Sequence, residues 1–210
     1  MSVVLDVDST VSALEGIDWL AERRNDEIAD EVAALTSAAM EARVPLDEVY
    51  ARRLAIIRPT RDEIAQLADV YIETALPGVR DAVRSWIDAG VRVVLVSGGL
   101  RDAILPLATW LGIAAADVHA VDVEYDEGAV TGVRAASPLS RRGGKPLVVA
   151  SLHLAREILA VGDGATDAEL TPVVDRFLAF TGVARRESVV ARAGGEVNSF
   201  ASLTPIVLGT

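Results

Sequence analysis

Two acidic pairs carry the chemistry that this sequence could do. Asp6 and Asp8 stand in "VVLDVDST" (3–10), and Asp163 and Asp167 in "GDGATD" (162–167). A carboxylate can attack an electrophile, pass a proton or hold a hard cation. Two further motifs suit an anion: Ser97, Gly98 and Gly99 in "VVLVSGG", and Lys145, the only lysine of the chain, in "RRGGKPL". Backbone N–H groups beside glycine and a compact ammonium are what a phosphoryl group needs. If the four acids share one place they repel, at a cost on the order of 4 kcal/mol for two unit charges about 4 Å apart. A cation among them removes that cost. The chain has no cysteine, and His119 and His153 lack acidic or histidine partners at ligand spacing, so the ligands are hard oxygens and Mg²⁺ is the expected ion.

The elements that position these groups are legible in the apolar runs. Residues 2–7, 91–96 and 157–162 are short, rich in Val, Leu and Ile, and do not alternate with polar residues. That pattern predicts strands of a parallel sheet covered on both faces. Each run ends in one of the polar motifs. Helical stretches separate them: "PGVRDAVRSWIDAG", with Pro77 near its start and Gly90 past its end, then "RDAILPLATWLGI" and "KPLVVASLHLAREI". Further strands are expected at "RFLAF" and "SVVAR". The fold class is therefore α/β, an open parallel-sheet, Rossmann-like core, and such sheets bind ligands outside the carboxyl ends of their strands.

Two segments interrupt the alternation. Residues 14–76 are almost wholly helical in pattern and too long for a structureless loop, so they read as a helical cap inserted after strand one. The catalytic core is then 1–13 together with 77–210. Residues 118–133, "VHAVDVEYDEGAVTGV", alternate around "DEG" and read as a small β-hairpin flap.

Composition excludes several classes. The 210 residues are 51% hydrophobic and 24% charged, as in a globular chain. No apolar run is long enough to span a membrane, and Met1–Leu5 lack the basic region of a secretory signal. With the absence of cysteine, this predicts a cytoplasmic protein. A net charge of −11 with no basic block argues against a nucleic-acid partner. "GGK" is not a nucleotide P-loop, because that motif needs Gly at 139 and Ser or Thr at 146, where Leu139 and Pro146 stand.

The ordered set "DVDST" with Glu15–Gly16, "SGG", a separate Lys and "GDGATD" resembles the haloacid dehalogenase-like superfamily of phosphohydrolases. "EGID", "RLAIIRP", "LPGVRDAV" and "GGK" extend the likeness nearly end to end, toward the branch that hydrolyses O-phosphoserine in the last step of serine biosynthesis. The resemblance implies that Asp6 is the nucleophile, forming an aspartyl-phosphate, and that Asp8 is the general acid and base. It implies Mg²⁺ held by Asp6, the Asp8 backbone carbonyl and Asp163, with Asp167 in support. Ser97, Gly98, Gly99 and Lys145 would hold the phosphoryl oxygens, and Thr166 would contact substrate.

For substrate choice, Leu46, Val49, Tyr50, Leu54 and Ile57 form one helical face in "LDEVYARRLAII"; Arg53 falls within it and Arg52 points away. By resemblance Arg53 binds the substrate carboxylate, Glu15 its amine, and Met40 contacts it. Glu41 after Met40 and Leu46 after Pro45 depart from the branch's pattern. Two other readings stand beside this one: a phosphatase or phosphotransferase acting on another small phosphomonoester, and a non-catalytic phospho-acceptor domain. The helical insertion and the second aspartate tell against the latter.

Overall fold

Val-, Leu- and Ile-rich runs build a six-stranded sheet in which every pairing is parallel. Its strands are β1 (Ser2–Leu5), β2 (Arg92–Leu100), β3 (Val118–Val121), β6 (Ile158–Gly162), β7 (Arg176–Phe180) and β8 (Glu196–Val197), in the order β3-β2-β1-β6-β7-β8. This computed structural model describes residues 1–40, 46–134 and 137–210, and of 39, 40 and 46–48 the backbone alone. Val3, Val4 and Leu5 of β1 are fully buried, as are Val94, Leu95 and Val96 of β2 and Ala160 and Val161 of β6. That double coverage is why these runs do not alternate.

From β1 the chain builds outward through β2 and β3, then returns to β1's other edge for β6, β7 and β8. The strand order thus reverses between β1 and β6, and a crevice opens there at the carboxyl ends. The Asp6 N–H continues the ladder to the Val161 carbonyl at 3.1 Å. Both acidic motifs therefore leave neighbouring strands at the switch point.

Helices α5 (Val79–Asp88), α6 (Arg101–Leu111), α7 (Gly144–Ser151) and α10 (Phe200–Leu208) accompany the sheet, with short α8 (Ala165–Ala168) after β6. Trp86, Phe180 and Phe200 meet at ring-centroid distances of 6.0 and 5.7 Å, joining α5, β7 and α10. Between β1 and α5 lie α1 (Gly16–Glu22), α2 (Asp26–Met40), α3 (Leu46–Ile57) and α4 (Arg61–Glu73), four helices among the described residues of that stretch. Helix α4 packs on α6. A reciprocal Thr60–Glu63 capping box starts it. The Arg24 guanidinium then grips the Glu63 carboxylate at 2.5 and 2.8 Å, tying the end of α1 to the start of α4.

Four expectations need correction. "SVVAR" is no strand: α9 (Glu187–Val190) is one helical turn burying Val189 alone, and the edge strand is the later pair at β8. The Val190 and Ala191 N–H groups donate to the Arg186 and Glu187 carbonyls, so this turn's backbone bonds to itself and not to a neighbouring strand. The helix after Lys145 stops at Ser151, well short of Ile158. Only part of 118–133 is hairpin. Val118–Val121 joins the main sheet, while β4 (Val123–Asp126) and β5 (Ala129–Val133) pair across Glu127–Gly128, with φ of 46° and 83°. Two positive φ values give the turn whose twist suits a hairpin. Lastly, "SGG" does not follow β2. It is a bulge within it, where four steps on β2, from Val96 to Leu100, match two on β3, from His119 to Val121.

Candidate active site

The turn after β1 is held by its own backbone: the Thr10, Val11 and Ser12 N–H groups all donate to the Val7 carbonyl. Ser9 takes φ of 53°, and its hydroxyl donates to Glu15 Oε1 at 2.7 Å. This tight turn carries Asp6 and Asp8 over the crevice. After β6, Gly162 has no room for a side chain, because a Cβ there would meet Asp167 Cγ at 2.2 Å. Asp167 folds back through that gap, and its Oδ2 accepts from the Gly164 N–H at 3.0 Å.

Asp6, Asp163 and Asp167 each present an oxygen within 4.8 Å of the others, and all three are buried. Lys145 enters from the first turn of α7, with Nζ 2.6 Å from Asp167 Oδ1 and 2.8 Å from Asp6 Oδ1. The second approach lacks the alignment of a hydrogen bond, so Asp6 Oδ1 is a buried oxygen without a directional donor among the described residues. Thr10 donates to Asp163 Oδ1 at 3.1 Å, and Arg186 pairs with Asp163 Oδ2. Three crowded carboxylates, one oxygen of which lacks a directional donor, and no softer ligand fit a hard divalent cation. The Asp8 side chain is not in that cluster.

Burial and crowding set the charges. Burial, then the Asp6 carboxylate, push Asp163 up to about 6, with Arg186 and Lys145 pulling back. The same two causes hold Asp167 well above the ordinary carboxylate range. Burial opposes the Lys145 charge, but Asp167 and Asp6 outweigh it and raise the ammonium. Asp8 is pushed up to about 7, by burial first, against hydrogen bonds from Tyr71 and Gly16 and with the Asp6 charge adding to the rise. Glu15 is raised well above its usual value by burial and by Asp8. A carboxyl that titrates near neutrality suits proton transfer in both directions.

One pocket joins the strand-end acids to the helices above them. Asp6, Asp8, Gly98, Lys145 and Thr166 line its floor, and Glu15, Asp18, Tyr50 and Arg53 its other side. Arg53 is 5% exposed on the inward face of α3 with Val49, Tyr50, Leu54 and Ile57, whereas Arg52 is exposed and pairs with Glu31. Arg53 donates to Thr36 Oγ1 at 2.8 Å, and Thr36 in turn donates to Asp18. Its Nε and the Tyr50 hydroxyl are buried with no partner among the described residues.

Ser97 and Gly99 do not line this pocket. The Gly99 N–H donates to the buried Ser97 Oγ at 2.9 Å, so these two shape the bulge while Gly98 faces the pocket. Met40 ends α2 with its side chain outside the description, as is that of Leu46; Glu41 lies outside the described residues. Sequence reasoning missed Arg186, which bridges Asp163 and Glu15, the latter at 3.8 Å. It also missed Tyr71, whose hydroxyl donates to Asp8 Oδ1 at 2.6 Å. Burial and the Asp8 charge hold that phenol far above its usual ionisation, so it stays a donor.

A family model described as haloacid dehalogenase-like hydrolase matches residues 3–191. The chain belongs to that family. It is 35% identical to phosphoserine phosphatase of Bos taurus and, separately, of Homo sapiens, in each case over 96% of this chain and 91% of the relative. A phosphoserine phosphatase of Mycobacterium tuberculosis is 32% identical over 85% of this chain and 43% of its own length. Among solved structures, a phosphoserine phosphohydrolase-like protein of Francisella tularensis superposes with a TM-score of 0.90 at 23% identity, covering 98% of both chains. A substrate-bound phosphoserine phosphatase complex gives 0.82 at 20% identity, covering 98% of this chain and 96% of the other. The α/β core with a small antiparallel hairpin is thus the fold of this hydrolase family, and the catalysed reaction is hydrolysis of a phosphoric monoester.

Proposed function

We propose that the chain is a Mg²⁺-dependent phosphatase that converts O-phosphoserine to serine and phosphate through an aspartyl-phosphate on Asp6. The observation that carries this reading is the pocket itself. Asp6, Asp8 and Lys145 stand at one side, and Arg53, with an unpartnered Nε, and the partly buried Glu15 line the other. A guanidinium and a carboxylate are the complements of a substrate's carboxylate and ammonium. The phosphoserine phosphatase relatives support the same substrate.

In this reading an Asp6 carboxylate oxygen attacks phosphorus as the bond to the serine oxygen breaks. Asp8 gives its proton to the departing oxygen, and serine leaves neutral at that hydroxyl. Asp8, now a carboxylate, takes a proton from water whose oxygen bonds to phosphorus. The phosphorus bond to Asp6 then breaks, restoring the carboxylate and releasing phosphate. Lys145 and the Gly98 backbone hold the phosphoryl oxygens throughout. Ser97 and Gly99 support that backbone from the bulge, and Thr166 meets the substrate from α8. Asp6, the Asp8 carbonyl and Asp163 would hold Mg²⁺ with Asp167 beside them, and the ion supplies charge stabilisation at phosphorus. The segment 14–76 serves as the cap that carries the specificity residues Glu15, Met40 and Arg53 and keeps stray water out.

A panel of small phosphomonoesters, assayed for phosphate release with Mg²⁺ and again with excess chelator, tests the reading. Phosphoserine should give the highest kcat/KM, and chelation should abolish release until Mg²⁺ is restored. A different ester preferred by tenfold or more would overturn the substrate, and full activity after exhaustive chelation would overturn the metal.

A further inference from the structure

Helix α4 supplies one polar atom to the crevice, the Tyr71 hydroxyl. We propose that Tyr71 is a positioning residue for Asp8: it pins one carboxylate oxygen so that the other faces the reacting centre. The proposal rests on the reading of Asp8 as the proton donor.

Both donors that Asp8 receives fall on the same oxygen. Oδ1 accepts from Tyr71 Oη at 2.6 Å and from the Gly16 N–H at 3.1 Å. Oδ2 accepts no hydrogen bond among the described residues. It lies at the "SGG" bulge, 3.2 Å from where a Cβ on Gly99 would stand. The bond between Cβ and a carboxylate rotates over a broad, nearly two-fold profile, so an unpinned Asp8 would exchange its oxygens and sample many planes. Two donors from different elements, the start of α1 and the last turn of α4, fix that rotation.

The geometry around Tyr71 is built for close approach. Its ring is fully buried on the α4 face with Ile64, Leu67 and Ala68. Gly16 has no side chain where the hydroxyl sits, and a Cβ there would lie 2.1 Å from Tyr71 Oη. Helix α4 also packs on α6, which begins directly after the bulge. One side chain thus references the Asp8 carboxylate to the scaffold that also carries Gly98 and Gly99. A positioning residue matters most when the proton must arrive in step with bond cleavage, that is, for a leaving group as basic as the serine oxygen.

Single-turnover phosphorylation by Tyr71→Phe tests this, with phosphoserine and with p-nitrophenyl phosphate, whose phenolate needs little protonation. Asp8→Asn is run alongside, and calorimetry checks folding. Tyr71→Phe should slow the phosphoserine step roughly tenfold or more, leave KM within about twofold, and slow the nitrophenyl ester by no more than about threefold. If Asp8→Asn discriminates the two esters and a folded Tyr71→Phe does not, the proposal is overturned and the Asp8 assignment stands. If Asp8→Asn fails to discriminate, that assignment falls and the proposal with it. Should the phenylalanine variant not fold, Tyr71→Met must show the same discrimination, or the proposal is lost.

Discussion

Lys145 and Arg24 each join two stretches of chain by gripping carboxylates, and their surroundings make them opposites. At the switch point Lys145 is shared by Asp6 and Asp167, with Asp163 close by, all buried, and burial with mutual repulsion pushes Asp163 and Asp167 up. Between α1 and α4, Arg24 meets Glu63 alone, tooth to tooth, and also donates to the Ile57 carbonyl at 2.8 Å. There the guanidinium's hydrogen bonds hold the Glu63 carboxyl down at about 2, outweighing the opposing effect of burial. The first assembly has three carboxylates against two cations, Lys145 and Arg186, the latter shared with Glu15; the second is complete. An incomplete buried cluster costs stability and is kept for what it binds, whereas a complete, half-buried pair is a clamp.

Asp6→Asn should show the contrast most strongly. We expect phosphatase activity to fall on the order of 10⁴-fold or more, because the amide is a poor nucleophile. In excess chelator the same variant should unfold at the wild-type temperature or above, since one of three crowded carboxylates is gone. Near wild-type turnover in a soluble variant would break the comparison at its first term.

Arg53→Ala comes next. It should cost roughly 2–5 kcal/mol in kcat/KM for phosphoserine, much of it from leaving the substrate carboxylate unpaired in a buried place. Against phosphoethanolamine, which lacks that carboxylate, the loss should be far smaller. Arg53→Lys should recover only part, as an ammonium has no planar fork. Equal losses on both esters would make Arg53 a structural partner of Thr36 and nothing more.

The smallest effect belongs to the clamp. Glu63→Gln should leave kcat/KM within about twofold and lower stability at pH 7 by about 1 kcal/mol, the scale of a half-exposed pair. Its folded-state value of about 2 lies below the ordinary 4.5, so the carboxylate's stabilisation is present above about pH 4.5. It is lost as pH falls toward 2. Denaturation curves of wild type and variant should therefore converge across that window. A difference that persists at low pH would mean that packing, not charge, holds α1 to α4.

Much of the crevice was legible because strand ends in a parallel sheet converge whatever their separation along the chain. Asp6 and Asp163 could be placed together from two apolar runs and a topology rule. Arg53 could be placed because a cation within an apolar helical face is an anomaly that spacing exposes. Tyr71 could not, since a tyrosine in register with Ile64, Leu67 and Ala68 reads as packing, and only coordinates show where its hydroxyl ends. Arg186 sits in a polar connection, "ARRES", whose path no periodicity fixes. "SGG" was placed after strand two and not within it because a bulge keeps the strand going while changing register, and register leaves no mark in one sequence. "SVVAR" failed for the opposite reason: two valines look like a strand, but one buried side chain is enough for a helical turn.

The covalent intermediate is the centre of the account, and it can be trapped. Enzyme turning over saturating phosphoserine with Mg²⁺ would be acid-quenched, reduced with borohydride and mapped by peptide mass. An aspartyl-phosphate at position 6 reduces to homoserine, so the account predicts homoserine in place of Asp6, dependent on substrate and absent from Asp6→Asn. Homoserine at another acid, or an unmodified Asp6 during demonstrated turnover with a control acyl phosphate reduced in parallel, would contradict it.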